Sequence, residues 1–293
     1  MPSTPAIDQI RPSDLPAPPQ VALEILRACS NESVDSRTLA SFAETDPVLT
    51  AELLRVVNTP LFGIGKEVTS VRHAVSLLGS RTLRNIILCL MVREAAQQHT
   101  RENFDITLYW ADSLCRAVAA SKIASLCHVD KDDAFTAAMM QDFGLLILFY
   151  LYPDTTMSYS ELRKLDPQQR LEKEMVLFGL GHDELVCMLA KSWSLPEELS
   201  LALASHHQIE SDLTVLPKIL ACVVWISAVF SVEDVGRILQ PCRDMGKLLL
   251  DINEDQLEQL LVELPAQVEQ AAHAMGLRIQ KQVDLGELLR QAN

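Results

Sequence analysis

The sequence predicts an all-α protein, and three observations lead to that prediction. Apolar residues recur at the helical spacing of three and four along most of the 293 residues, and no stretch of useful length alternates as a strand would. Apolar residues make up 48% of the chain, which is enough to bury a full core. Helix-start signals recur between the periodic segments, including Asp46 before Pro47 and Ser70 before Val71.

The boundaries of the helices follow from caps, prolines and glycines. We expect one helix to end at Gly79 and Ser80 to cap the next. Ser194, followed by Pro196 and two acids, is expected to cap a helix that ends at His206-His207. Pro265 is expected to break the last helix-prone region. The other predicted helices cover about 21–29, 39–43, 47–57, 108–128, 132–152, 166–179, 182–193 and 216–230.

The chain divides into three parts by composition. Six prolines within the first 20 residues keep the beginning extended, and we assign residues 1–14 to an N-terminal arm. The second part is one domain, residues 15–210, in which the polar stretch 97–105 separates two helical sub-bundles, 15–100 and 101–210. Residues 211–293 form an acidic C-terminal helical extension that we expect to pack on the core.

Composition also bears on the environment of the protein. The net charge of −14 opposes binding to nucleic acid or to an anionic membrane surface. Seven cysteines without a C-x-x-C pair are typical of reduced thiols, so we expect a cytoplasmic protein. The longest apolar runs are shorter than the roughly 20 residues of a membrane span, and the N-terminus lacks a secretory signal pattern.

Several motifs occur in a fixed order between residues 15 and 210. They are Leu15-Pro-Ala-Pro-Pro19, Thr45-Asp-Pro47, Val57-Asn-Thr-Pro-Leu-Phe-Gly63, Ser70-Val71, Ala74-Val75, Leu77-Leu-Gly79, Trp110 with Ser113, Gln141-Asp-Phe-Gly144, Trp193-Ser-Leu-Pro196 and His206-His207. Together they make the chain similar to the HDOD family of bacterial signalling proteins, which is related to the HD phosphohydrolases. The resemblance implies a regulatory role in bacterial signal transduction, beside cyclic-nucleotide or two-component pathways.

The resemblance also implies a degenerate HD pocket. Where the HD pattern has its first histidine this chain has Asp112, and Gln141-Asp142 stands for the histidine-aspartate doublet. The other pocket residues are His182, His206 and His207. A glutamine amide is a poor transition-metal ligand, and residues 219–231 supply no final acid. We therefore expect no catalytic residues, no metal and no cofactor.

A structural role explains the remaining pocket residues without a metal. Asp142 on an apolar helix would be costly to bury alone, so His182 or His206 is the expected partner. Binding of one ion by Asp142 and the three histidines is the alternative.

A candidate anion contact lies elsewhere, around the predicted helix start at Ser80. Arg72, His73, Arg81 and Arg84 surround it, and a helix N-terminus favours an anion. A solvated basic face accounts for the same four residues.

Three functional hypotheses follow. The first is a non-catalytic regulatory module that contacts separate signalling proteins, with the acidic C-terminal helices as one docking surface. The second is a metal-dependent phosphohydrolase or phosphodiesterase that uses Asp112, Asp142 and the three histidines. The third is a nucleotide or small-anion sensor without catalysis. The sequence does not fix the oligomeric state or the partner.

Overall fold

A computed structural model describes residues 10–11, 14–17, 19–29, 35–59, 67–210 and 212–280. Within these ranges the chain forms fourteen α-helices and no strand, so the all-α prediction is confirmed. The helices are α1 Gln20–Cys29, α2 Ser36–Ala43, α3 Pro47–Val57, α4 Val71–His99, α5 Ile106–Leu126, α6 Lys131–Met140, α7 Phe143–Leu151, α8 Tyr159–Leu162, α9 Pro167–Phe178, α10 His182–Ser192, α11 Glu197–Ala204, α12 Val215–Ala228, α13 Val235–Leu250 and α14 Glu254–Met275.

Helix α5 lies at the centre of the protein. It starts after Asp105, whose carboxylate accepts the backbone N–H groups of Thr107 and Leu108, and it packs against α6, α12 and α14. Tyr109 to Ala120 are all buried, including the charged Asp112 and Arg116. A helical segment that is buried on every side needs partners for such charges, and these partners form the site described below.

The N-terminal helices α1, α2 and α3 pack on α4. Asp46 caps α3, Pro47 is its first residue and Ser70 caps α4, as predicted. Gly79 interrupts α4 with φ 80° and ψ 171°, a conformation that glycine adopts readily. The predicted end of one helix at Gly79 and start of another directly after it are confirmed, since α4 consists of two helical parts that meet at this kink. Capping by Ser80 stays a prediction.

Two predicted boundaries were wrong. Ser194 has φ 55°, and α11 begins after Pro196 without a side-chain cap. Pro265 lies inside α14 and does not end it. Leu264 and Val268, on either side of that proline, are fully buried, so tertiary packing holds both halves of α14 in line despite the lost backbone hydrogen bond.

Arginine side chains of α3 and α4 bind the carboxyl end of α14. Arg55 of α3 donates hydrogen bonds to the carbonyl oxygens of Ala274 and Met275, at 3.1 and 3.0 Å. Arg93 of α4 donates to the Met275 carbonyl at 3.2 Å. Cations at the carboxyl end of a helix offset its dipole, so α3 and α4 fix the end of α14.

Some of the sequence motifs fall outside the described residues. These are Pro18, residues 60–63 and most of the N-terminal arm, and the same holds for residues 281–293. The segment directly after the arm contacts the core, since the indole N–H of buried Trp193 donates to the Pro16 carbonyl at 3.1 Å.

Two apolar stretches have the length and composition of a membrane span, residues 71–99 and 131–151. Most of their residues are buried within the protein, and core helices of water-soluble proteins have the same composition.

All seven cysteines are free, and burial raises the pKa of the Cys89 thiol to about 12.

The close contact between α7 and α10 depends on Gly144. A Cβ atom at this position would overlap the backbone carbonyl of His182 and come within 3.1 Å of the Val186 backbone nitrogen. Because both are backbone atoms, neither can move aside as a flexible side chain would. Gly144 thus sets the position of the first turn of α10.

We expect Gly144→Ala to lower the free energy of unfolding by at least about 2 kcal/mol, because α10 must shift away from α7. Gly246→Ala is the matched control, since its Cβ would lie an ordinary 3.7 Å from Ile252, and helix propensity favours alanine by about 1 kcal/mol. Urea unfolding measures both. Equal stability of Gly144→Ala and the unchanged protein would contradict the close contact.

Candidate functional site

The turn between α6 and α7 places Asp142 inside the protein. α6 ends at Met140, Gln141 follows, and Asp142 precedes α7 without capping it. The Asp142 side chain is fully buried and faces α5, α9 and α10 instead. The buried polar cluster of the protein is built around this carboxylate.

Two arginines neutralise Asp142. Its Oδ2 atom lies 3.1 Å from Nη1 of Arg116 on α5 and 3.0 Å from Nη2 of Arg170 on α9. Burial alone would raise the pKa of the Asp142 carboxyl, but the two guanidinium groups hold it well below its usual range. Asp142 is therefore a carboxylate at neutral pH.

His182 is held between two carboxylates at the start of α10. Its Nδ1–H donates to Glu174 Oε2 at 2.6 Å, and the His182 backbone N–H donates to the same oxygen at 3.0 Å. Its Nε2 lies 3.4 Å from Asp142 Oδ1. Burial opposes a charged ring, yet Glu174 and Asp142 raise the pKa of His182 to about 10, so the imidazolium form is favoured.

His206 and His207 bring their rings to the same point. His182 Nε2 lies 3.0 Å from His206 Nε2 and 3.1 Å from His207 Nε2. His206 Nδ1–H donates to the Leu203 carbonyl at 2.6 Å, which leaves its Nε2 as an acceptor. Burial and the positive His182 lower the pKa of His206 to about 4, and burial with neighbouring charge also lowers that of His207.

The contacts of Asp112 form a second centre. Arg163 donates to both carboxylate oxygens of Asp112, at 2.7 and 2.5 Å, and the Tyr159 hydroxyl donates to Oδ2 at 2.7 Å. The structure thus brings Asp142 and the three histidines together and ties Asp112 to α8 and the residue after it. Asp112, which stands where the HD pattern has its first histidine, therefore has the Arg163 guanidinium as its partner.

Gln141 is fully buried, yet neither atom of its amide has a hydrogen-bond partner among the described residues. An unpaired buried amide costs roughly 1–3 kcal/mol. The glutamine occupies the place of the histidine in the doublet without making a contact that replaces it.

Sequence reasoning found His182 as a neighbour of Asp142 but missed its stronger partners, Arg116 and Arg170, together with Glu174. One signal was available for Arg116, since it is the only charge between Ser113 and Ser121 in an otherwise apolar helical segment. Arg170 and Glu174 are four residues apart on α9 and contact each other at 3.7 Å. Whether these two side chains point into the core depends on how α9 packs against its neighbours, so the local sequence gave no signal for it.

The predicted anion contact lies on α4, away from this cluster along the chain. Arg84 is paired with Asp133 at 2.6 Å, and Arg81 with Asp130 at 3.3 Å, so both already bind acids at the start of α6. Arg72 and His73 are exposed. Binding of an anion by these four residues stays a prediction.

Comparison with known proteins gives relatives of this architecture. A family model of the HDOD domain matches residues 15–209. An uncharacterized protein of Treponema pallidum (strain Nichols) is 24% identical over 208 residues, which are 68% of this chain and 39% of that protein. The chain therefore spans about two fifths of the length of this curated relative.

Solved structures share the fold. A candidate phosphohydrolase of Shewanella amazonensis SB2B has a TM-score of 0.70 at 22% identity, covering 92% of this chain and 96% of its own. An HDOD domain protein with unknown function from Geobacter sulfurreducens has a TM-score of 0.62 at 23% identity, covering 88% and 92%. A protein from Marinobacter aquaeolei VT8, named for signal transduction, has a TM-score of 0.68 at 21% identity, covering 92% and 62%.

The fold and the buried histidine-aspartate cluster define a helical domain of the HD-like class. Within that class, the chain belongs to the HDOD domain family, because the family match covers most of its length. The resemblance deduced from the motifs is confirmed.

The charge on His182 predicts a pH dependence of stability. Its folded-state pKa is raised above the unfolded value of about 6.5, so its stabilisation is complete below that pH and is lost as the pH rises towards about 10. We expect the free energy of unfolding to fall over this interval with a chelator present. Urea unfolding at a series of pH values measures it.

The control for this pH dependence is Glu174→Gln, which removes the carboxylate that holds the proton on His182. The slope between these pH values should become shallower in this variant. An identical slope in both proteins would assign the pH dependence to other groups.

Loss of either arginine leaves a buried charge without its partner. We expect Arg116→Met to lower the free energy of unfolding by about 3–5 kcal/mol, because the Asp142 carboxylate stays buried with only Arg170 and His182 beside it. Arg72→Met, at an exposed position on α4, should change it by less than about 0.5 kcal/mol. Similar effects of both changes in urea unfolding would contradict the buried ion pair.

Proposed function

We propose that this HDOD protein is a non-catalytic regulatory module of bacterial signalling that acts by contact with other proteins. The observation that carries the proposal is the pairing of its pocket carboxylates with arginines. Asp142 binds Arg116 and Arg170, and Asp112 binds Arg163 and Tyr159.

The reason is chemical. A hydrolytic centre of the HD type uses aspartates and histidines to hold metal ions that activate water beside a phosphate. A guanidinium beside the carboxylate supplies a fixed positive charge but no Lewis acid and no activated water. The buried, unpaired amide of Gln141 at the doublet supports the same conclusion, since a carboxamide is a weak ligand for a transition metal.

The C-terminal helices support the choice of protein contacts. Leu248 on α13 and Val262 on α14 are 70% and 54% exposed, although both are large apolar side chains. Exposed acids lie on the same two helices, at Asp244, Glu254, Asp255, Glu258 and Glu269. Exposed apolar side chains and exposed acids on the same two helices suit a partner whose surface offers apolar and basic groups.

A phosphohydrolase with a reduced ligand set is the second candidate, and the convergence of the three histidine rings favours it. Its weakness is that both aspartates it would use have arginine partners. The names of two structural relatives concern phosphohydrolysis or signalling, and at less than 25% identity these relatives support the fold alone.

Photo-crosslinking in cells tests the contact surface. A photoreactive amino acid at position 248 or 262 should capture one and the same protein, and the control position 176, 74% exposed on α9, should not capture it. The captured protein should bind the purified chain, and Leu248→Ser with Val262→Ser should weaken this binding at unchanged stability. Failure to recover a specific partner from either position would count against the proposal.

Hydrolysis assays test the second candidate. Purified protein supplied with Mn²⁺ or Zn²⁺ should not hydrolyse cyclic dinucleotides or guanosine polyphosphates above the rate without protein. Turnover that disappears in His206→Ala would overturn the non-catalytic proposal, because His206 is a buried residue of the histidine-aspartate cluster.

A further inference from the structure

A cavity of about 310 Å³ lies between five helices, apart from the histidine-aspartate cluster. Its walls come from α3, α4, α5, α6 and the last residue of α14, and none of the described residues that line it belongs to that cluster. Leu77 and Leu78, just before the kink at Gly79, and Thr82, just after it, all line the cavity. The cavity therefore lies where the N-terminal helices, the central helix and the C-terminal helices meet.

Apolar side chains form much of the cavity wall. Val56, Ile86, Leu90 and Met275 line it and are buried, and Phe135 of α6 is partly buried beside them. Pockets that bind small organic molecules have about this volume, and they combine apolar walls with a few polar groups. The cavity is therefore suited to a molecule with an apolar body.

One carboxylate in the cavity wall lacks a cationic partner among the described residues. Asp130 and Asp133, at the start of α6, both pair with Arg81, at 3.3 and 3.6 Å. Asp132 lies between them in the sequence, is half-buried and lines the cavity. It accepts a hydrogen bond from the Thr82 hydroxyl at 3.1 Å but forms no ion pair with a described arginine or lysine. Its charge is thus available to a ligand.

The charges around the cavity favour a cationic ligand. Lys131 also lines the cavity, but this side chain is exposed, so water solvates its ammonium group. The half-buried carboxylate of Asp132 is less well solvated, and a ligand ammonium group offers it a charge-assisted hydrogen bond. The net charge of −14 also attracts cations to the protein and repels anions.

We propose that this cavity binds a small organic amine, with its ammonium group on Asp132 and its apolar body against the apolar wall. Such a ligand contacts α4 on both sides of the kink at Gly79, and it holds α3 and α4 against α6 and the end of α14. The site is distinct from the anion contact predicted around Ser80. It uses no residue of the histidine-aspartate cluster, and it stands independently of the proposed function.

Binding of matched probe molecules to the purified full-length chain is the first test. Phenylbutylamine, phenylbutanol and phenylbutanoate, each with its polar group at the end of the chain, share one apolar body and differ in charge. In isothermal titration calorimetry the amine should bind at least about 10-fold more tightly than the alcohol, because hydrogen bonds to charged groups are stronger than those between neutral groups. The carboxylate probe should bind more weakly than the alcohol.

Asp132→Asn tests the carboxylate, because asparagine keeps an oxygen acceptor for Thr82 and removes the charge. The advantage of the amine over the alcohol should fall below about twofold in this variant. Asp255→Asn is the matched control, since it removes an exposed charge at the same second position of a helix, on α14. It should leave the advantage unchanged. An equal advantage in Asp132→Asn and in the unchanged protein would refute the assignment.

A measurement on the unchanged protein locates the amine and keeps the test valid if Asp132→Asn does not fold. Nuclear Overhauser effects should connect the ring protons of bound phenylbutylamine with the methyl groups of Ile86 and Met275, and not with that of Met188 on α10. Three results contradict the proposal: no such effects at Ile86 and Met275, no saturable binding of the amine at millimolar concentration, or tighter binding of phenylbutanoate than of the amine.

Discussion

The arrangement of the helical core depends on one buried carboxylate. Asp142 lies between α6 and α7, and its partners come from α5, α9 and α10. A carboxylate without partners in this interior would cost several kcal/mol, so arrangements of these helices that separate Asp142 from its partners are disfavoured. The close approach of α7 to α10 at Gly144 acts in the same direction, because it places the backbone of His182 next to the turn that carries Asp142.

Two kinds of positive group meet at this carboxylate, and they differ in what they allow. The arginines on Oδ2 are permanently charged and offer only hydrogen-bond donors. His182, whose Nε2 lies 3.4 Å from Oδ1, is positive only while its ring keeps a proton that it loses as the pH rises. The positive charge beside Oδ2 is therefore constant and stabilises the fold, whereas the charge beside Oδ1 depends on whether His182 is protonated.

Much of the fold was predictable because its signals are local. Asp46-Pro47, Ser70 and the apolar spacing gave elements close to those observed. The errors came where distant contacts override local preference, as at Pro265, where buried side chains keep α14 continuous. The site was predicted in part: the histidines and Asp142 were found from motifs. Arg116, Arg170 and Glu174 were not found. Their partners lie on other elements, and Arg170 and Glu174 reach the core only because of the way α9 is oriented.

The arginine contacts at the end of α14 bear on where the domain ends. The family match stops at residue 209, yet α12 and α14 cover two sides of the central helix α5, and Arg55 and Arg93 bind carbonyls at the end of α14. A fragment cut at the end of the match would expose that apolar helix to water and leave both guanidinium groups without these acceptors. The packed helical core thus extends beyond the residues that the family model matches, and an expression fragment should include α12 to α14.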